Sequence, residues 1–127
     1  MLFRSNRVVH FEYVAENPGK LVEFYKEVFG WKTQTWGGPQ AYWLLETGNN
    51  KEAGIDGGVM GAPGPGKQKV INTIQVSSLE KTIKKIKQFG GSTISQKNTI
   101  LGVGYHYYCK DIEGNIFGIL ESEQKAK

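Results

Sequence analysis

The sequence has few of the features that assign a chain to a membrane or to a disulfide-rich class. No apolar run approaches the length needed to span a bilayer, and residues 1–7 lack the apolar core and cleavage site of a signal peptide. The single cysteine, Cys109, cannot form an internal disulfide, and it follows an aromatic run that predicts a strand. We therefore expect a soluble, cytoplasmic protein in which Cys109 serves packing.

Motifs for phosphate, nucleophilic or nucleic-acid chemistry are also missing. No glycine-rich phosphate loop opens a helix, and no serine or cysteine lies in a nucleophile elbow. The excess of 16 Lys and Arg over 12 Asp and Glu is modest, and it is not interleaved with aromatic residues for stacking on bases. Lysines at residues 81–87 follow helical spacing, which is typical of a solvated helix face. We expect neither a nucleic-acid nor a membrane partner.

The first clear element is a strand with two different faces. His10 and Glu12 are two residues apart, so both side chains point to one face of any sheet that the strand joins. The opposite face is apolar and consists of Val9, Phe11 and Tyr13. This strand therefore separates a polar, functional face from a face that packs beneath the following element.

An amphipathic helix follows that strand. The pattern predicts a start at Pro18 with Asn17 as the N-cap, and an end at Gly30. Between them an apolar stripe recurs at helical spacing and consists of Leu21, Phe24, Tyr25, Val28 and Phe29. We expect this stripe to pack on the sheet.

The second half of the chain repeats the first. Helix ends at Phe29-Gly30 and Phe89-Gly90 lie 60 residues apart, and each half reads strand, helix, three strands. The predicted strands are 32–36, 41–47 and 54–60 in the first half and 69–76, 92–96, 104–110 and 115–121 in the second, with a helix at 79–89. Since roughly 60 residues make a marginal core, the halves must share one.

The resulting expectation is an α+β single domain, residues 1–127, of two paired βαβββ modules. The modules span about 7–61 and 68–122, joined by a glycine- and proline-rich linker at about 61–67. They form a curved mixed sheet around a cup, with the helices on the outer face. Residues 96–104 are either a mobile cover of that cup or a plain hairpin connection.

Three features resemble the vicinal oxygen chelate superfamily, which includes glyoxalases, bleomycin-resistance proteins and extradiol dioxygenases. They are a first-strand histidine fourteen residues before Phe24-Tyr25, the string FYKEVFGW at 24–31, and the turn and strand DIEGNIFG at 111–118. In the turn, Ile112 replaces the family's usual proline. The resemblance covers residues 8–121 and implies paired βαβββ modules, often assembled as a homodimer. Its enzymes hold a divalent metal with ligands from the first and last strands of both modules.

Carried over position by position, the resemblance leaves that metal site incomplete. His10 matches the first-strand ligand. The place in the second module falls at Ile71, or at Asn72 with the register shifted by one, and the closing-strand glutamate falls at Gly118. Glu121 lies three residues further on, on the opposite face of the strand. In the first module the last-strand place is near Gly58, so the remaining ligand set is His10, Glu12 and Asp56.

We therefore expect a protein that binds a small aromatic or amphipathic molecule in its cup, without the full family metal site and without a cofactor. His10 and Glu12 act there as an acid–base pair or as polar contacts to the ligand. The other expected ligand contacts are Trp43, Thr73, Gln75, Tyr105 and Tyr107, while His106, opposite the two tyrosines, is expected to be structural.

Two alternatives remain open. One is a metal-dependent lyase or dioxygenase of the glyoxalase type, which uses a divalent metal on His10, Glu12 and Asp56. The other is a non-catalytic assembly or regulatory module whose cup is filled by side chains.

Overall fold

The computed structural model describes residues 5–36, 41–123 and 126, so part of the N-terminal segment searched for a signal peptide lies outside it. The chain forms two compact units. The first is His10–Ile71, and the second consists of the described residues of Met1–Val9 and Asn72–Lys127. Within the described ranges, neither helix has the length and apolar character that a bilayer crossing requires.

The first unit is a four-stranded sheet with one helix. Its elements are β1 (Val8–Ala15), which belongs to this unit from His10 onward, α1 (Pro18–Phe29), β2 (Lys32–Thr35), β3 (Tyr42–Glu46) and β4 (Gly57–Gly61). The strand order is β2-β3-β4-β1, with β1 and β4 parallel and the other pairs antiparallel. This is the predicted βαβββ module.

Helix α1 has the predicted ends because both caps are encoded locally. The Asn17 side chain accepts a hydrogen bond from the Lys20 amide at 3.2 Å, and Gly30 adopts the left-handed conformation with φ of 72°. The predicted apolar stripe is only half covered. Phe24, Val28 and Phe29 remain 54%, 55% and 60% exposed, because Val22 is the helix residue that enters the core.

The core of the first unit lies between α1 and the apolar face of β1. It contains Ala15, Val22, Leu45 and Val59, against which Phe11, Tyr13, Leu21, Trp31 and Trp43 pack. Tyr25 lies between Tyr13 and Trp31, with ring centroids 5.2 and 4.9 Å away. The expected division of β1 into a packing face and a polar face is therefore present.

The second unit repeats this plan with one additional short strand. Its elements are β5 (Val70–Gln75), which belongs to this unit from Asn72 onward, α2 (Leu79–Gln88), β6 (Ser92–Thr93), β7 (Asn98–Ile100), β8 (Gly104–Lys110) and β9 (Ile116–Ser122). The order is β5-β9-β8-β6, and β7 also pairs with β8. Strands β5 and β9 are parallel. The predicted α+β class is confirmed.

Strand β7 was not predicted. It forms an antiparallel pair with β8, in which Asn98 lies opposite His106, so residues 96–104 contain a hairpin. Its three residues are too few to show the alternation of apolar and polar side chains that identifies a strand.

The turn between β8 and β9 forms without the proline that the resemblance leads one to expect. The Asp111 carboxylate accepts hydrogen bonds from the side chain of Asn115 and from the amides of Glu113 and Asn115. These bonds, led by the Asn115 side chain, hold the pKa of Asp111 below its usual value. Ile112, in the position of the proline, is exposed, and the hydrogen bonds that hold the turn are those to Asp111.

Cys109 lies in the core of the second unit, as expected for a packing residue. It belongs to the buried cluster of Val76, Leu79 and Ile119. Burial raises the pKa of its thiol to about 11, so the nucleophilic thiolate is disfavoured at neutral pH.

Candidate functional site

The polar face of β1 carries a hydrogen-bonded trio. The Tyr42 hydroxyl donates to Glu12 Oε2 at 2.7 Å and lies 2.9 Å from His10 Nε2. Glu12 is only 7% exposed, and His10 and Tyr42 are half-buried. The structure thus brings the two predicted residues together through a third, Tyr42, which sequence reasoning missed.

The trio fixes the proton positions on His10. An ionised Glu12 can only accept, so with Glu12 charged the single phenolic proton of Tyr42 goes to Glu12, and the phenolic oxygen accepts from the imidazole. His10 is therefore protonated at Nε2, and in the neutral ring Nδ1 carries the lone pair.

Several groups act on the charge of His10. Burial, the largest effect, lowers the pKa of His10 below 6.5, while the charges of Glu12 and Asp56 act in the opposite direction. Because burial prevails, the imidazole is neutral at pH 7.

Gly58 makes room for this trio. Position 58 lies beside Glu12 in the β1–β4 register, and a side chain on it would collide with the Tyr42 phenol. The neighbouring Gly57 has the equivalent role on the other face, where a Cβ would come within 2.5 Å of the Phe11 ring. The glycines of β4 are therefore needed for the close approach of rings from β3 and β1.

His10 also lines a groove within the first unit. This groove has a volume of about 850 Å³ and lies where β1 and β4 begin and α1 ends. Trp31, Leu44 and Gly57 give it apolar surface, and Asp56 adds a carboxylate. Exposed charged residues of both signs complete it: Lys26, Glu27, Lys32 and Glu46.

The second unit contains a corresponding polar cluster. Thr73, Gln75 and His106 are all buried, and Gln75 donates to the Ser122 hydroxyl at 2.7 Å. A Cβ on Gly118 would lie 2.5 Å from His106 Nε2 and 2.7 Å from Thr73 Oγ1. Here too a ring lies over a glycine of the neighbouring strand, with His106 on β8 and Gly118 on β9.

The registers show that these two arrangements occupy the same place in the repeat. Glu12 pairs with Gly58, and Thr73 pairs with Gly118. Leu44 pairs with Gly58 and Tyr108 with Gly118, so the residues two positions earlier, Tyr42 and His106, correspond. The correspondence is not visible in the sequence, and the structural role of His106 stays a prediction.

The donors present do not fit the metal site of the superfamily. At two of the four implied positions stand Gly58 and Gly118, whose side-chain space holds the Tyr42 phenol and the His106 imidazole. A third is Ile71, which is fully buried and has no donor atom. Only His10 offers a ligand type that such a site uses.

The alternative set of His10, Glu12 and Asp56 is not arranged as a metal centre. Glu12 accepts from Tyr42, and Asp56 Oδ1 accepts from the Thr47 amide at 2.9 Å. In the described ranges, no three or more His, Cys, Asp and Glu side chains form a group able to hold a metal ion. Of these three residues, His10 and Asp56 both line the groove.

The remaining predicted ligand contacts lie in different surroundings. Trp43 packs on the core of the first unit, and Tyr105 and Tyr107 pack on that of the second. Tyr105 also has the Lys97 ammonium 4.8 Å from its ring centroid. These aromatic residues are thus placed on packing faces, because successive strand residues alternate and their neighbours Tyr42 and His106 take the polar faces.

Comparison with solved structures shows that the fold is like that of methylmalonyl-CoA epimerase, a member of the vicinal oxygen chelate superfamily. An epimerase in complex with methylmalonyl-CoA and ammonium matches with a TM-score of 0.70 and 12% identity, over 96% of this chain and 98% of that chain. The epimerase of Mycobacterium tuberculosis matches with 0.69 and 11%, over 96% and 93%.

A hypothetical protein from Bacillus halodurans C-125 matches with a TM-score of 0.72 and 15% identity, over 98% of this chain and 99% of that chain. No protein-family model matches the sequence, and no curated protein matches it either. The likeness is therefore one of fold, and the function has to be argued from the residues of this chain.

Proposed function

We propose that the protein binds a small aromatic or amphipathic molecule in the groove beside His10, without the metal centre of its superfamily. The observation that carries this proposal is the ring over each of Gly58 and Gly118. Both positions correspond to metal-ligand positions of the superfamily, and both lack a donor because a glycine is needed to admit the ring.

The residues that line the groove support an aromatic or amphipathic ligand. Trp31 and Leu44 offer apolar contact, while His10 offers one hydrogen-bonding nitrogen. The groove also contains charged side chains, and a concave surface that combines apolar contact with placed polar groups is the usual form of a small-molecule site. Its volume of about 850 Å³ suits a ligand of drug-like size.

A ligand screen by thermal shift, followed by calorimetry of the hits, tests the proposal. The panel contains small aromatics and, since neighbouring structures are complexes with CoA thioesters, methylmalonyl-CoA. We expect at least one hit whose affinity falls in His10→Ala and is unchanged in Lys84→Ala, a variant of the exposed face of α2. Hits that bind His10→Ala and the wild type equally would contradict the assignment to this groove.

A metal-dependent lyase or dioxygenase is the second candidate. One observation favours it, because the charges of both Glu12 and Asp56 act on His10. A metal bound there would place a cation beside two carboxylates, and Asp56→Asn would weaken its binding. Zinc or nickel titration of the wild type and of Asp56→Asn, followed by calorimetry, distinguishes this candidate from the first. Metal binding by the wild type that is weakened in Asp56→Asn favours the second candidate, and no metal binding favours the first.

A further inference from the structure

We infer that Tyr42 and Glu12 fix His10 as a hydrogen-bond acceptor toward the groove, so that the ligand must present a neutral donor such as a phenolic hydroxyl. This inference rests on the proposed function, since it names the chemical class of the molecule bound beside His10. Tyr42 and Glu12 are positioning residues, and His10 is the residue that touches the ligand.

The first step concerns the direction of the hydrogen bonds. Glu12 takes the only phenolic proton at 2.7 Å, so the bond of 2.9 Å between Tyr42 and His10 runs from Nε2–H to the phenolic oxygen. Rotation of the imidazole or a change of tautomer would lose this bond. The acceptor at Nδ1 is thereby fixed.

The second step concerns access to Nδ1. In the part of the chain that the structure describes, every buried side-chain nitrogen and oxygen has a hydrogen-bond partner. The hydrogen bond of His10 is made by Nε2, and the residue lines the groove. Nδ1 is therefore the atom that reaches solvent in the groove and is open to a ligand.

The third step concerns charge. The carboxylates of Glu12 on β1 and Asp56 before β4 both act on His10, and the Tyr42 hydroxyl faces it from β3. Two negative charges around a neutral imidazole disfavour an anionic ligand at Nδ1. The other charged residues of the groove are two lysines and two glutamates, whose formal charges cancel: Lys26, Glu27, Lys32 and Glu46.

The fourth step concerns shape. Trp31 and Leu44 line the groove together with His10, so a ligand that donates to Nδ1 has apolar surface beside it. A planar ring with one hydroxyl meets both requirements, because the ring contacts the apolar lining while the hydroxyl donates.

Binding of 4-nitrophenol, compared with its methyl ether 4-nitroanisole, tests the inference. Both have the same ring, but only the phenol has a donor. Calorimetry at a pH below the pKa of the phenol should give roughly two- to tenfold tighter binding of the phenol, the effect of one net hydrogen bond. The absorption spectrum should show that the bound ligand remains a neutral phenol.

Two variants separate the acceptor from its positioning residue. His10→Ala should bind both molecules equally. Tyr42→Phe keeps the ring over Gly58 but removes the acceptor for Nε2–H, so the preference for the phenol should shrink while binding of the ether persists. Nitrogen NMR should show His10 protonated at Nε2 alone in the wild type and as a mixture of tautomers in Tyr42→Phe.

The pH profile provides the remaining readout. The preference for the phenol should decline at low pH as His10 becomes an imidazolium, and at high pH as the phenol ionises. Equal affinity of the wild type for both molecules would overturn the inference and leave binding in the groove intact. If neither molecule bound, the inference would be overturned and the result would also count against the proposed function. Protonation of His10 at Nδ1 would overturn the inference alone.

Discussion

At the scale of single residues, the proposed site depends on the imidazole of His10, whose charge is set by burial and whose orientation is set by a hydrogen bond to Tyr42. His10 is neutral because burial outweighs the attraction of Glu12 and Asp56. Glu12 tolerates its own burial because it accepts from Tyr42. The acceptor role of His10 is thus a product of its neighbours and not of the histidine alone.

This environment predicts how stability depends on pH. The folded-state pKa of His10 lies below 6.5, so on acidification the unfolded chain takes up this proton first. The free energy of unfolding should therefore fall as the pH drops from 6.5 through the lowered pKa of the folded state. Urea denaturation of the wild type and of His10→Gln over this window measures the difference. Identical slopes for the two proteins would contradict the assignment.

At the scale of elements, the last strand of each unit, β4 or β9, has a glycine where an aromatic or imidazole ring packs against it. Each has a glycine under a ring supplied by the preceding strand, Tyr42 in one unit and His106 in the other. A strand interior normally disfavours glycine, so a glycine there indicates close approach by another group. In both strands this glycine occupies the same place in the repeat, and a ring fills the space that a side chain would need.

Substitution of the β4 glycines tests this interpretation. Gly58→Ala would force the Tyr42 ring to move, and overpacking of this kind costs about 1 to 3 kcal/mol. Gly61→Ala in the same strand is the matched control, because its Cβ would meet Pro18 at an ordinary 3.7 Å. It should change stability by less than about 1 kcal/mol. Equal effects in chemical denaturation would refute a specific role for Gly58.

Strand β9 also carries the carboxylate that stabilises helix α2. Glu121 Oε1 accepts from the Leu79 amide at 2.8 Å, at the first residue of the helix. Glu121→Gln retains an acceptor, whereas Glu121→Ala removes it, and the alanine variant should lose about 1 kcal/mol of unfolding free energy. Thermal denaturation of both variants measures this. An alanine variant as stable as the glutamine variant would show that the bond contributes nothing.

At the scale of the whole molecule, the fold class and the local features were predictable from the sequence, whereas side-chain contacts between distant strands were not. The caps Asn17 and Gly30 and the polar face of β1 follow from neighbouring residues, and the structure places them as expected. Tyr42 was missed because its partner His10 is 32 residues away in sequence. Tyr42 lies in the predicted strand 41–47, and its alternation with the packed Trp43 and its position opposite a glycine-rich strand were detectable signals.

The predicted modular bounds, the cytoplasmic location and the homodimer remain predictions at this scale. The homodimer follows from the resemblance alone, and light scattering of the purified protein tests it directly. A monomer at micromolar concentration would remove that expectation without affecting the groove of the first unit.

The metal content of the purified protein tests the central claim most directly. We predict that elemental analysis, after incubation with zinc, nickel, iron or manganese and removal of excess metal, finds far less than one equivalent per chain. His10→Ala should give the same result as the wild type. One equivalent of a divalent metal in the wild type, lost in His10→Ala, would contradict the account and favour a metal-dependent enzyme.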